Sequence, residues 1–182
     1  EYHKLGQQIK NERLYSAALQ GNLQKVKLLI QAGANVNTQY QYGSTALMAA
    51  SLNGHTDIAR LLLEHGANVD TQKQHGQTAL MLASQNDHTY IVKLLLEAGT
   101  DIETQNQHGQ TALMLASQND HTYIVKLLLE VCADIETQNQ HGQTALMLAS
   151  QNGHTDVARL LIDRSANLDI QQQEGWTALI YA

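Results

Sequence analysis

Proline and phenylalanine are absent from this 182-residue chain, and cysteine occurs once, as Cys132. A single thiol cannot close an internal disulfide, and a thiolate metal site needs several. The simplest setting is a reducing one, so the expectation is an intracellular, cytoplasmic protein (host cytosol if a bacterium delivers it). Aromatics reach only 4%; a core must therefore come from Leu, Ile, Val, Ala and Met. Basic residues number 11 against 17 acidic ones, a net charge of −6. A general nucleic-acid binder normally carries a basic face, so that class is disfavoured. No apolar run reaches about 18 residues, which leaves no candidate membrane span. No signal peptide is visible, and the chain opens on Glu1 rather than Met, which reads as a fragment of a longer protein. Against these absences stand 43% apolar residues, ordinary for a chain that buries a core, and a length that suits one domain or one continuous array.

The array is the better description, because the sequence repeats. His75–Gln107 recurs as His108–Gln140 with three changes: Ala98, Gly99 and Thr100 become Val131, Cys132 and Ala133. The same 33-residue step marks units at 42–74 and 141–173, an incomplete unit at 14–41 and a partial one at 174–182. Residues 1–13 lack the pattern and are expected to form an N-terminal cap segment.

Local signals divide each unit. Thr78 before Ala79-Leu80-Met81-Leu82-Ala83 reads as an N-cap. A short helix runs from there to about Asn86. Asp87 aligns with Gly54 and Gly153 and takes a left-handed C-terminal position. A second helix covers about His88–Ala98, with Ile91, Val92, Leu94, Leu95 and Leu96 burying more than one side. Gly99 ends it, and polar Asp101–Gly109 suits an extended loop or finger. Cys132 and Ser165 align with Gly33, Gly66 and Gly99, so both are expected at left-handed φ.

Helix, turn, helix, Gly and polar finger in 33 residues resemble the ankyrin repeat. The resemblance rests on Gly76-Gln77-Thr78-Ala79-Leu80-Met81-Leu82-Ala83 and on Ile91-Val92-Lys93-Leu94-Leu95-Leu96-Glu97-Ala98-Gly99, and it covers the chain from about Leu14 onward. The family usually has T-P-L-H where this chain has T-A-L-M at Thr45, Thr78, Thr111 and Thr144, and Thr177-Ala178-Leu179-Ile180 last. Ala keeps the helix start and Met supplies an adaptable apolar group, which accounts for the missing proline. The implied fold is an all-α ankyrin solenoid of helix-turn-helix units with β-hairpin-like fingers. The implied function is protein–protein interaction by a monomer, without a cofactor. A structural spacer within a longer protein and a designed array are the alternatives.

Nothing in the pattern favours chemistry. His75, His108 and His141 recur at finger tips, but unit spacing of roughly 8–10 Å cannot bring two of them within about 2 Å of one metal. His55, His88, His121 and His154 open the second helices, where the resemblance implies packing and hydrogen bonding between units. Ser84, Ser117 and Ser150 recur in identical phase, as scaffold does. No phosphate-cradling loop is present, and Cys132 has no base beside it. No enzyme activity and no metal are expected.

The resemblance also implies a concave groove lined by finger tips and the inner face of the first helices. By register it holds Gln74, His75, Gln77, Gln85 and Asn86, then Gln107, His108, Gln110, Gln118 and Asn119, then Gln140, His141, Gln143, Gln151 and Asn152. Two readings stand: an amide lining for an extended ligand, or a solvated face left by duplication. The N-terminal units place Leu19, Tyr40, Tyr42 and Leu52 at these positions, with Tyr15 nearby, and Trp176 takes the finger site at the other end. Large apolar groups there are typical contact residues; packing under the cap is the competing role for Leu19 and Tyr15. Tyr90 and Tyr123 stand where the sister units have Asp57 and Asp156, either as a second patch or as cover for neighbouring helices. Asp70, Asp101, Glu103, Asp134, Glu136 and Asp169 form an acidic stripe that would favour basic partner segments; a solvated edge is the alternative. Finally, Leu29–Asn37 resembles the segment an asparaginyl hydroxylase modifies in ankyrin arrays, with Asn37 as the matching residue. The alternative is that Asn37 bonds the finger backbone.

Overall fold

The structure, a computed structural model, describes the backbone from Tyr2 to Tyr181 and side chains from Gly6 to Tyr181. Two compact units divide the chain, one up to Thr100 and one from Asp101. The first contains α1 (Tyr2–Leu19), α2 (Leu23–Gln31), α3 (Ala46–Asn53), α4 (Thr56–Glu64), α5 (Ala79–Gln85) and α6 (Thr89–Glu97). The second contains α7 (Ala112–Gln118), α8 (Thr122–Glu130), α9 (Ala145–Gln151), α10 (Thr155–Asp163) and the short α11 (Ala178–Tyr181). Among the described residues there is no β-strand.

Each unit has two layers. In the first, α1 packs on α3 and α3 on α5, while α2 packs on α4 and α4 on α6. In the second, α9 lies between α7 and α11, and α8 packs on α10. The layers follow from where apolar residues fall. Residues 46–51, 79–84 and 112–117 are buried without a break, so the short first helices are enclosed on every side. The nine-residue second helices bury one face only, for example Ile91, Val92 and Leu95 in α6. Leu94 and Leu96 are half-buried rather than enclosed as their apolarity suggested, because the fully enclosed layer is that of the first helices.

Thr45, Thr78, Thr111 and Thr144 cap the first helices as expected, each Oγ1 accepting the amide of the Met three residues on, at 3.2–3.4 Å. The first helix begins at Tyr2, so the stretch 2–13, expected as a cap segment, continues without interruption into the unit that starts at Leu14. Its outer face holds the next turn down: Gln7 Nε2 donates to Gly33 O (2.7 Å), Lys10 Nζ to Ala32 O (2.9 Å), and Asn35 N to Asn11 Oδ1 (2.8 Å). The first two bonds satisfy carbonyls left open just past the end of α2, and the third satisfies an amide.

Asp87, Asp120, Cys132 and Ser165 all have positive φ, from 60° to 66°. At the aligned Gly33, Gly66 and Gly99 an added Cβ meets nothing within 4 Å, so a side chain there is strained by φ alone. Cys132→Gly and Ser165→Gly are each expected to stabilise the chain by up to about 1 kcal/mol. Urea unfolding checks this; a loss of stability in both variants counts against the strain argument. Gly21 and Gly54 differ. A Cβ would sit 2.6 Å from the His55 ring at Gly21 and 2.7 Å from the His88 ring at Gly54. Those rings need the space because His55 Nε2 donates to Leu19 O (3.2 Å) and His88 Nε2 to Leu52 O (3.0 Å), tying each second helix to the preceding first helix. In the second unit His154 does the same with Gln118 O (2.9 Å). The structural role expected for these three histidines is what the geometry shows.

Candidate binding surface

The finger loops rest on a single turn each. Asn106 N donates to Gln110 O (3.0 Å) and Gly109 N to Asn106 O (2.8 Å); Asn139 closes its loop in the same way. Both asparagines are almost fully buried. Asn139 Oδ1 accepts the amides of His141 (2.9 Å) and Gln143 (3.0 Å), and Asn106 Oδ1 those of His108 and Gln110. This side-chain cap holds the turn without backbone strain at the following residue. The aligned residues in the first unit are Tyr40 and Lys73, which cannot accept in this manner. There the chain tightens into 3₁₀ turns at Gln41–Gly43 and Gln74–Gly76, with Tyr42 at φ 59° and His75 at φ 70°. The sequence carried a signal for this contrast, Asn against Tyr or Lys three residues before the finger glycine.

The amide lining of the second unit is largely engaged with itself. Asn106 Nδ2 donates to Gln110 Oε1, and Gln110 Nε2 to Gln118 Oε1, each at 3.2 Å. Asn139, Gln143 and Gln151 repeat the relay. Between fingers, Gln140 Nε2 donates to Gln107 O and Gln173 Nε2 to Gln140 O. Backbone bonds run alongside, Gln140 N to His108 O (3.0 Å) and Gln173 N to His141 O (3.1 Å). Gln105 and Gln138, which the sequence reading passed over, bridge the loop to Gly109 O and Gly142 O. Asn86, Asn119 and Asn152 each donate at 2.8 Å to the carbonyl four residues back, closing the first helices. His108 and His141 stay exposed at their tips. In the first unit Gln74, His75 and Gln85 are exposed and Gln77 is half-buried.

The apolar positions separate into two kinds. Tyr42 is 72% exposed, Leu19 41% and Leu52 39%. Tyr40 is half-buried and stacks on Tyr15 of α1, with ring centroids 4.9 Å apart and an interplanar angle of 21°. It is therefore a packing residue on at least one face. Trp176 is exposed over nearly half its surface and lies tilted against Tyr181 at 5.4 Å. Tyr90 and Tyr123 are exposed on the second helices, and Lys93 Nζ lies 5.8 Å from the Tyr90 ring centroid.

The acidic stripe is a row of joints. Glu103 Oε1 accepts Asp134 N (2.8 Å), Glu136 Oε1 accepts Asn167 N (2.7 Å), and Asp70 Oδ1 accepts the Thr100 hydroxyl (2.9 Å). Asp101 and Asp134 each accept the amide two residues on. Asn37 occupies the same register and serves the same purpose: Nδ2 donates to Gly66 O (3.0 Å) and Oδ1 accepts Asn68 N (2.7 Å). An enzyme that modifies Asn37 would have to open both bonds first.

No group of three or more metal-ligating side chains is assembled among the described residues, and none of their helices is long and apolar enough to cross a membrane. Capped helix pairs recurring at a fixed 33-residue step define a tandem-repeat protein. The family model for ankyrin repeats matches in three copies, at residues 14–106, 76–139 and 113–182, and the chain belongs to the ankyrin-repeat family. Ankyrin repeats are generally protein-interaction modules and typically not enzymes. No curated protein resembles the chain closely enough to count as a match.

Proposed function

We propose that the chain recognises an extended segment of a partner protein, and that the first unit supplies the anchor through Leu19, Tyr42 and Leu52. The observation that carries this reading is a register contrast. Leu19 and Leu52 stand where later repeats have Gln85, Gln118 and Gln151, and Tyr42 stands where they have His75, His108 and His141. All three are exposed, Tyr42 over most of its surface and Leu19 and Leu52 over about two fifths of theirs. Exposed large apolar groups on a rigid support are the residues that dominate interface energies.

The test exchanges each for its own sister residue: Leu19→Gln, Tyr42→His and Leu52→Gln together, with Tyr40 left in its stack. Partners retained from a lysate by the wild-type chain are identified and titrated against both proteins by calorimetry. Binding should weaken by about 2 kcal/mol or more, with the unfolding midpoint nearly unchanged. Unchanged affinity, or a large stability loss, argues against the anchor. A spacer role is favoured for the second unit by its self-engaged amides, which leave fewer donors for a ligand. The exposed free thiol of Cys132 fits a reducing, intracellular setting.

A further inference from the structure

A cleft of about 500 Å³ opens between α1 and the first finger, lined by Gln7, Gln8, Asn11 and Glu12 on one side and Thr38, Gln39 and Tyr40 on the other. It shares no lining residue with the Leu19, Tyr42 and Leu52 surface, so it stands independently of the groove reading. Its volume is that of a small-ligand or side-chain pocket.

The bonding of its walls decides what it accepts. Gln7 Nε2 spends both hydrogens, on Asn11 Oδ1 (3.1 Å) and Gly33 O (2.7 Å). Gln8 Nε2 spends one on Glu12 Oε1 (2.9 Å). Two amide oxygens and the second carboxylate oxygen of Glu12 remain as acceptors. Gln39 and Thr38 can turn either an acceptor or a donor inward, and Asn11 Nδ2 remains as a donor. The nearby cations lie outside the lining: Lys10 Nζ is committed to Ala32 O (2.9 Å), and Arg13 is exposed on α1. Tyr40, steadied by its stack on Tyr15, adds an aromatic ring to the wall.

Several acceptors, one negative charge and one fixed aromatic ring call for a planar cation rich in N–H groups. We propose that this cleft binds an arginine side chain of a partner peptide, with the guanidinium against Tyr40 and its donors directed to Glu12 and the glutamine oxygens. Arginine suits the site better than lysine, because its guanidinium is planar, stacks on rings and presents five donors in a fork. A neutral side chain would leave the Glu12 carboxylate unanswered. The net charge of −6 favours approach of a basic segment.

The test is an NMR titration of the isotope-labelled chain with acetyl-Gly-Arg-Gly-amide, alongside the same peptide carrying lysine or citrulline. Citrulline keeps the shape of arginine and removes the charge. The expected result is saturable, millimolar-range binding with shifts confined to residues of the cleft. Lysine should bind more weakly and citrulline should show no saturation. Glu12→Gln keeps an oxygen for Gln8 and should weaken the arginine peptide about fivefold or more, equivalent to removing a charge-assisted bond. Equal binding of citrulline or lysine overturns the assignment. So does shifting spread over the finger acids instead of the cleft, or an affinity unmoved by Glu12→Gln. The peptide series needs no variant, so it decides the matter even if Glu12→Gln perturbs α1.

Discussion

Replacing Ser51, Ser84 and Ser117 together by Ala is expected to stabilise the chain by about 3 kcal/mol, roughly 1 kcal/mol for each site. All three side chains are completely buried, and none of their hydroxyl oxygens has a hydrogen-bond partner. A hydroxyl loses its water bonds on burial, and nothing replaces them here. Alanine removes the stranded group and is the better helix former. The substitution has a precedent within the chain, since Ala18 holds the same register position and is fully buried. One repeat separates each site from the next, so the three effects should nearly add. Denaturant unfolding of the single and triple variants gives the answer. A rise in the midpoint at constant slope is the expected signature. Equal or lower stability would mean that the void left by the oxygen outweighs the relief.

Asn139→Ala is expected to cost about 2–3 kcal/mol. The substitution removes the shared acceptor of the His141 and Gln143 amides, the Oδ1 of the nearly buried Asn139. It also removes the donor to Gln143 Oε1, the first step of the relay to Gln151. Asn139→Lys should cost less. Lys73 stands at the same register position in the first unit, where the turn takes its left-handed form with His75 at φ 70°. The lysine variant can adopt that form, which moves His141 to positive φ. A three-bond amide coupling at His141 reports the change directly. A lysine variant as unstable as the alanine one, with negative φ retained, would show that the two turn forms are not interchangeable.

These two cases mark what the sequence makes legible. The Thr caps were readable because donor and acceptor lie three residues apart, within one turn of chain. The left-handed sites at Asp87, Asp120, Cys132 and Ser165 were readable because aligned repeats place glycine at the same point. The finger amides were not. Gln140 looks like a groove residue in sequence, and its bond to Gln107 O appears only when two loops distant in the chain lie side by side. The carboxylates show the same limit: the charge of the stripe reads from sequence alone, whereas the backbone amides that Glu103 and Glu136 accept lie 31 residues away. Tyr40 reads as a finger residue until α1, longer than its repeat pattern implies, brings Tyr15 against it. The exposed contrast of Leu19, Tyr42 and Leu52 with their sisters could be read directly, because it needs register alone.

The joints made by Asn37, Glu103 and Glu136 each reach an amide 31 residues further along. A constant offset shorter than the repeat makes the joints indifferent to copy number. Deleting His108–Gln140 would bring Glu103 to Asn167, the same acceptor and donor types that Glu136 and Asn167 already pair. Duplicating that block would add one joint and disturb none. Gain or loss of this block therefore preserves the 31-residue joints that remain, while an insertion of any other length breaks the one it enters. Length is thus the property this chain can vary most freely, and the near-identity of residues 75–107 and 108–140 is the mark such copying leaves.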